Sequence, residues 1–157
     1  MATTFIKYQN NKGFHITESF MQLAFYYIHQ EIILPNYIFA NKQEIIESME
    51  DDINGSTKTY FVLMWHNDLI NSTEEQTMIQ VLQNVKTTLQ NKGAFISVAE
   101  MQAIPTEDRM FKWLFSEKPF PTADLIKIID ALIQMLQGTW ESTNYNMDGE
   151  INWKYED

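Results

Sequence analysis

The sequence predicts a mostly α-helical domain with minor β structure, and three observations support this prediction. Hydrophobic residues make up 45% of the 157 residues and aromatic residues 13%, which is typical of a globular domain rather than a disordered chain. Apolar residues recur at helical spacing in several stretches bounded by capping residues, glycine or proline. A chain of this length can bury a core without disulfides, and it contains no cysteine. We expect a single-domain bundle of about five to six helices that ends in a β-hairpin.

The N-terminal part predicts a short strand, a turn and a first helix. Residues 3–8 are the candidate strand, and Asn10–Gly13 has the composition of a turn. The helix is expected over residues 18–34, with Thr17 as its N-cap and Pro35 ending it. Its apolar residues cover most of the circumference, which predicts a buried, central helix. Only a narrow stripe is polar, and it consists of Glu18, Gln22 and His29.

Two further helices are predicted in the middle of the chain. One begins after Asn41, with Glu44 at the capping-box position, and ends near Gly55. The other is capped by Ser72 and closed by Gly93. Its apolar stripe consists of Met78, Leu82, Val85 and Leu89. The short apolar run between these helices, residues 59–65, fits a buried strand or a buried helix, because its periodicity does not distinguish them.

Three helices are expected in the C-terminal half. Ser97 and Glu100 form a capping box that predicts a short helix, which Pro105 must end. A second short helix is expected within residues 106–116. Thr122 then caps a long helix, which ends at Gly138 and carries the apolar stripe Leu125, Ile129, Leu132 and Leu136.

Beyond Gly138 the chain has few apolar residues other than aromatic ones. We therefore divide it into a helical core domain over 1–138 and a C-terminal hairpin or tail over 139–157, packed on the same domain. The dipeptide Asp148-Gly149 lies between two alternating segments, which predicts a β-hairpin with a type I′ turn. Trp140, Tyr145, Trp153 and Tyr155 lie among polar residues. Such aromatic residues are typical anchors of protein interfaces, although they could instead cap the core of their own domain.

The charge of the chain excludes several classes of partner. Asp and Glu number 21 against 11 Lys and Arg, which gives a formal net charge of -10. A phosphate backbone or an anionic membrane would repel such a protein, so we expect neither nucleic acid nor membrane as a partner. The sequence has no signal-peptide pattern and no apolar stretch long enough to cross a membrane, and these absences predict a cytoplasmic protein. Its oligomeric state is left open.

No motif for catalysis or metal binding is present. The chain lacks the patterns of metalloproteases, serine hydrolases and phosphate-binding loops, so we expect no enzyme and no cofactor. Two segments, starting at Glu50 and Asn144, imitate the first half of a calcium loop. Their twelfth positions are Phe61 and Tyr155, where a calcium loop needs a bidentate Glu. We therefore expect no bound metal.

One charge feature has a helical geometry. Glu44, Glu47 and Asp51 lie on one ridge of their predicted helix, opposite an apolar face. This ridge is either a solvated helix face or a surface that meets a basic partner. Together with the tail aromatics it forms the predicted partner-binding set, which is Glu44, Glu47, Glu50, Asp51, Asp52, Trp140, Trp153 and Tyr155.

In its short length, lack of cysteine, acidic balance, ridge and lack of a catalytic motif, the chain resembles the small acidic immunity proteins of bacterial contact-delivered toxin systems. The resemblance rests on these overall features and on no family motif. It implies a cytoplasmic bacterial inhibitor that neutralises a cognate toxin by stoichiometric binding, with a basic protein as partner. Two alternatives remain open. One is an enzyme or ligand carrier with an apolar pocket lined by some of the 9 Met and 10 Phe, and the other is a non-inhibitory adaptor subunit.

Overall fold

The computed structural model describes residues 2–58 and 61–155, and it confirms a mostly α fold with minor β structure. The described residues form seven helices, which are α1 (Glu18–Ile32), α2 (Lys42–Asn54), α3 (Trp65–Asp68), α4 (Ser72–Asn91), α5 (Val98–Gln102), α6 (Arg109–Leu114) and α7 (Thr122–Gln137). Six of them are the predicted ones, and the seventh, α3, lies at the end of the run that the sequence left undecided. No helix in the described part of the chain is long and apolar enough to cross a membrane.

Helix α1 is the centre of the domain, as its apolar circumference predicts. It packs against α2, α4 and α7, and 11 of its 15 residues are buried. It ends at Ile32, two residues before the predicted end, and the next two residues are exposed. Thr17 occupies the N-cap position, but its side chain does not cap the helix. The Thr17 hydroxyl donates instead to Asp148 in the tail at 2.7 Å.

Three of the five predicted N-caps have the N-cap position, namely Thr17, Asn41 and Ser97, whereas Ser72 and Thr122 are instead the first residues of their helices. Helices α2 and α7 end at Gly55 and Gly138, which take the left-handed conformation with φ of 82° and 77°. Helix α4 is capped by Asn71, whose side chain accepts from the backbone N–H of Glu74 at 3.0 Å, so the prediction of Ser72 is wrong by one residue. Asn and Ser are similarly good caps, and Asn71 has the extended backbone that an N-cap residue requires.

Short strands flank the helices. They are β1 (Thr3–Lys7), β2 (Gly13–Thr17), β3 (Phe95–Ile96), β4 (Phe120–Pro121) and β5 (Tyr145–Asn146). Strand β2 lies between β1 and β5, antiparallel to the first and parallel to the second, and β3 pairs antiparallel with β4. The sequence predicted β1 but neither β2 nor the pairing of β5.

The predicted C-terminal hairpin is wrong. Strand β5 pairs with β2 and not with a following strand, and Met147–Glu150 forms a 3₁₀ turn where the type I′ turn was expected. The side chains of Met147, Ile151 and Trp153 enter the hydrophobic core. The described part of the tail, residues 139–155, packs on the helices through these side chains, but its pairing partner is distant in sequence.

The described part of the undecided run, residues 61–65, is neither a strand nor a long helix. Phe61–Met64 has no regular secondary structure, and Trp65 begins the single turn of α3. Phe61 stacks on Phe25 of α1 with 5.7 Å between ring centroids. The first two residues of the run, Thr59 and Tyr60, lie outside the described residues.

Candidate functional site

The exposed side of α2 carries the predicted ridge. Glu44, Glu47 and Asp51 are exposed, while Ile45 and Met49 on the opposite side are buried. Within residues 2–58 and 61–155, no Lys, Arg or His nitrogen lies within 4.0 Å of these three carboxylates. Three like charges at helical spacing thus face solvent without a cationic partner in the described structure.

Asp68 extends this charge beyond α2. The side chain of Asn41, at the N-cap position of α2, donates to the backbone carbonyl of Asp68 at 3.1 Å, instead of capping its own helix. Burial and the nearby charge of Glu44 raise the pKa of Asp68, and His66 opposes this shift. We call Glu44, Glu47, Asp51 and Asp68 together the acidic face.

Glu50 lies on a neighbouring side of α2 and has a partner. Its carboxylate is 3.1 Å from Nε2 of His29 on α1. The contact is largely exposed on the Glu50 side, where salt bridges contribute little to stability. Glu50 therefore borders the acidic face but is less available than Glu44, Glu47 or Asp51.

Asp52 is buried, so its prediction as a partner-binding residue is corrected. It is 3% exposed and its carboxylate accepts from the hydroxyl of Thr57 at 2.5 Å. Gln22 of α1 bridges the Asp52 backbone carbonyl and the carboxylate of Asp108, both at 2.9 Å. Lys58 contacts the other oxygen of Asp108 at 2.9 Å. Asp52 follows Asp51 in α2, and each residue turns a helix by about 100°. Its side chain therefore lies off the exposed ridge, on the side of α2 that faces α1.

Glu18 completes this buried carboxyl cluster, which consists of Glu18, Asp52 and Asp108. Burial raises the pKa of Asp52 to about 7. Burial also raises the pKa of Glu18, against the attraction of Lys58. Burial alone would raise the pKa of Asp108, but hydrogen bonds from Gln22 and Lys58 lower it below its usual value. The cluster therefore combines one carboxylate that stays ionised with two carboxyls shifted towards their neutral forms.

The sequence contained one signal of this cluster. Glu18 and Gln22 belong to the narrow polar stripe of α1, and a polar stripe on a helix that is otherwise buried must find partners inside the domain. Glu18 Oε2 and Gln22 Oε1 are buried without a hydrogen-bond partner among the described residues. The groups that bond to the Gln22 amide nitrogen, and the charges that act on Glu18, come from segments far along the chain, which no local pattern identifies.

The tail aromatics do not form one exposed surface. Trp153 is 5% exposed and packs against Phe20, Phe115 and Phe120 at 5.6–5.8 Å between ring centroids, so its predicted role as a partner anchor is corrected. Trp140 is half-buried and donates from its indole N–H to the carbonyl of Gly13 at 3.0 Å. Both residues stabilise their own domain.

Tyr155 is half-buried beside an aromatic residue that the sequence did not single out. Its ring lies 4.6 Å from the ring of Trp113, which is 51% exposed. The two rings line a surface cleft of about 230 Å³, together with Lys118 and one edge of Trp153. No periodicity marks Trp113, because its helix α6 has only six residues.

The alternative prediction was an apolar pocket lined by Met and Phe. The cavity whose lining matches this description is small. It lies between Phe25 and Met49 and measures about 10 Å³, which is about the room of one water molecule. Phe25 and Met49 beside it are packed as ordinary core.

Among the residues that the structure describes, no group of three or more His, Asp or Glu side chains is arranged to hold a metal ion, and this includes the buried carboxyl cluster. Comparisons of the chain with models of known protein families, with curated proteins and with solved structures found no match.

Proposed function

We propose that this protein binds a basic protein through its acidic face and neutralises it stoichiometrically, as an immunity protein neutralises its toxin. The observation that carries the proposal is the set of exposed carboxylates of Glu44, Glu47 and Asp51, which have no cationic partner among the described residues. Like charges at this helical spacing cost a few tenths of a kcal/mol per pair. A cationic surface would remove this repulsion on binding.

The net charge of -10 supports the same proposal. A strongly acidic protein attracts basic surfaces over distances of about a Debye length and raises the rate of encounter. The partner would then be a protein with a cationic substrate-binding face, such as a nuclease toxin, which the acidic face covers. A cytoplasmic location belongs to this proposal, because an inhibitor of this kind acts where its target acts.

The test is the binding kinetics of the protein with the product of the neighbouring gene. One variant changes Glu44, Glu47 and Asp51 to Lys. The matched control changes Glu107, Glu117 and Glu141 to Lys, which alters the net charge equally at exposed positions elsewhere.

We expect the first variant to associate at least about tenfold more slowly and with a weaker dependence on salt, whereas the control should change much less. Equal effects of the two variants would mean that only net charge matters, and the proposed face would be wrong. The activity of the partner is measured in the same titration, because a non-inhibitory adaptor would bind and leave that activity unchanged.

A further inference from the structure

Exposed apolar side chains are concentrated in two segments next to the acidic face. Eight large hydrophobic side chains are exposed in the described residues, namely Ile33, Leu34, Ile38, Val62, Ile70, Phe95, Met110 and Trp113. The first five belong to two segments, 33–38 and 62–70, that lie beside α2. Exposed apolar side chains that gather in this way mark interaction surfaces, whereas single ones do not.

Hydrogen bonds hold the two segments side by side. The buried carboxylate of Glu74 accepts from the backbone N–H of Ala40 at 2.8 Å through one oxygen. Its other oxygen accepts from the backbone N–H of Ile70 at 3.2 Å. Asn41 adds its bond to the carbonyl of Asp68. The loop that enters α2 and the turn that precedes α4 therefore adjoin at the N-terminal end of the acidic face.

Ile38 is presented to solvent by its two neighbours. Tyr37 and Phe39 are 4% and 6% exposed, whereas Ile38 between them is 80% exposed. The two buried aromatic side chains attach the segment to the core, and the side chain of Ile38 between them faces solvent. The hydroxyl of Tyr37 is bonded to Glu31 and to Asn84, at 2.5 Å each.

Lys42 secures the same loop. Its ammonium group donates to the carbonyls of Leu34 and Tyr37, both at 2.7 Å. The one lysine of α2 is thus hydrogen-bonded to the loop backbone and forms no ion pair with Glu44, two residues later, in the described structure. Because the loop is already ordered, presenting Ile38 to a partner requires little further loss of conformational freedom.

We propose that Ile38 and Ile70 are the apolar anchors of the interface, and that the segment they receive is a cationic amphipathic one, with large apolar side chains beside its Lys or Arg residues. This inference rests on the proposed function and names the chemistry of its partner. The acidic face selects the positive charge and speeds association, and the two isoleucines slow dissociation by burying apolar area. They take the anchoring role that the sequence assigned to Trp153, which is buried.

The probe is a synthetic amphipathic peptide of Leu and Lys, about 14 residues or roughly four helical turns long. A second peptide has Gln in place of every Leu. The variant Ile38→Ser/Ile70→Ser is compared with Phe95→Ser/Trp113→Ser, which changes two exposed apolar residues outside these segments. Circular dichroism confirms that each variant is folded.

We expect the Ile38→Ser/Ile70→Ser variant to bind the Leu/Lys peptide at least about tenfold more weakly than the unchanged protein, with the loss in the dissociation rate. Its affinity for the Gln/Lys peptide should not change, and the control variant should stay within about twofold for both peptides. Unchanged affinity of the Ile38→Ser/Ile70→Ser variant for the Leu/Lys peptide would overturn the inference.

Two outcomes separate this inference from the proposed function. If both peptides bind the acidic face in a salt-dependent way, and the Ile38→Ser/Ile70→Ser variant binds both with unchanged affinity, the inference is wrong and the proposed function stands. If charge reversal of Glu44, Glu47 and Asp51 affects neither peptide, both are wrong. Self-association of the unchanged protein that the isoleucine variant abolishes would make this face an interface between copies, and would also overturn the inference.

Discussion

The carboxylate of Asp124 holds the backbone of Trp153. Its Oδ2 accepts from the N–H of Trp153 at 2.9 Å, and both of its oxygens accept from the N–H of Asn152 at 3.1 Å. Asp124 is completely buried, and Lys127 supplies a cation at 3.2 Å. The tail is therefore fixed to α7 by a charged acceptor and, through the indole of Trp153, to the aromatic core.

Replacing Asp124 with Asn should destabilise the domain. The Asn amide has the shape of the carboxylate but no charge. It has one acceptor oxygen, whereas the N–H groups of Asn152 and Trp153 bond to both oxygens of Asp124. We expect a loss of about 1–3 kcal/mol in the free energy of unfolding, measured by urea denaturation. The control Glu107→Gln, at an exposed residue, should change stability by less than about 0.5 kcal/mol. A loss for Asp124→Asn no larger than that of the control would contradict the prediction.

Removing the indole of Trp153 should cost more. Trp153→Ala leaves a cavity among Phe20, Phe115 and Phe120, and we expect a loss of about 3–5 kcal/mol in the free energy of unfolding. Trp113→Ala removes an exposed indole and should cost less than about 1 kcal/mol. If the two variants unfold at similar urea concentrations, Trp153 is not part of the core.

Stability should fall as the pH rises towards neutrality. The folded pKa of Asp52 is raised to about 7, above the value of an unfolded chain, so the folded state binds this proton more tightly. Its contribution is complete below the unfolded pKa and is lost as the pH rises through the folded pKa. Glu18 acts in the same direction, since burial raises its pKa too. Asp108 has a lowered pKa, so its contribution is instead lost in acid.

Unfolding free energies at about pH 5 and about pH 8 check this dependence, and we expect a fall of about 2 kcal/mol that Asp52→Asn largely abolishes. Glu117→Gln, at an exposed residue elsewhere in the chain, is the control and should keep the fall. A variant Asp52→Asn with the same pH dependence as the unchanged protein would rule out Asp52 as its source.

The cap of α4 offers a test at two adjacent residues. Asn71→Ala removes the acceptor of the Glu74 N–H and should cost about 1 kcal/mol in the free energy of unfolding. Ser72→Ala should be nearly neutral, because Ser72 is the first helical residue and Ala is the better helix former. The opposite ranking of the two variants would restore Ser72 as the cap.

The helices were predictable because their signals are local. Gly55 and Gly138 end α2 and α7 where the apolar stripes stop, and the hydroxyl of Ser97 accepts from the N–H of Glu100 at 3.1 Å, as a capping box requires. The cap, the stripe and the stop of a helix all lie within one continuous segment, so the sequence alone contains them. The exposed ridge on α2 follows from the same periodicity.

The strands were harder because their partners are distant. Strand β2 pairs with residues at both ends of the chain, and the Asp148 carboxylate that the hairpin prediction placed in a turn accepts from the N–H of Thr17 at 2.9 Å. A local preference for a type I′ turn is worth less than such tertiary bonds together with burial of the tail in the core.

By itself the sequence determined the helical class, six of the helices and the face of α2 on which Glu44, Glu47 and Asp51 lie. Only the tertiary structure decided that Asp52 and Trp153 are buried, that Gln22 bridges Asp52 and Asp108, and that the segments of Ile38 and Ile70 adjoin beside the acidic face. The physical reason is that a helix sets the direction of its side chains through its own period. Whether a side chain meets solvent or core depends on segments that pack over it from elsewhere in the chain.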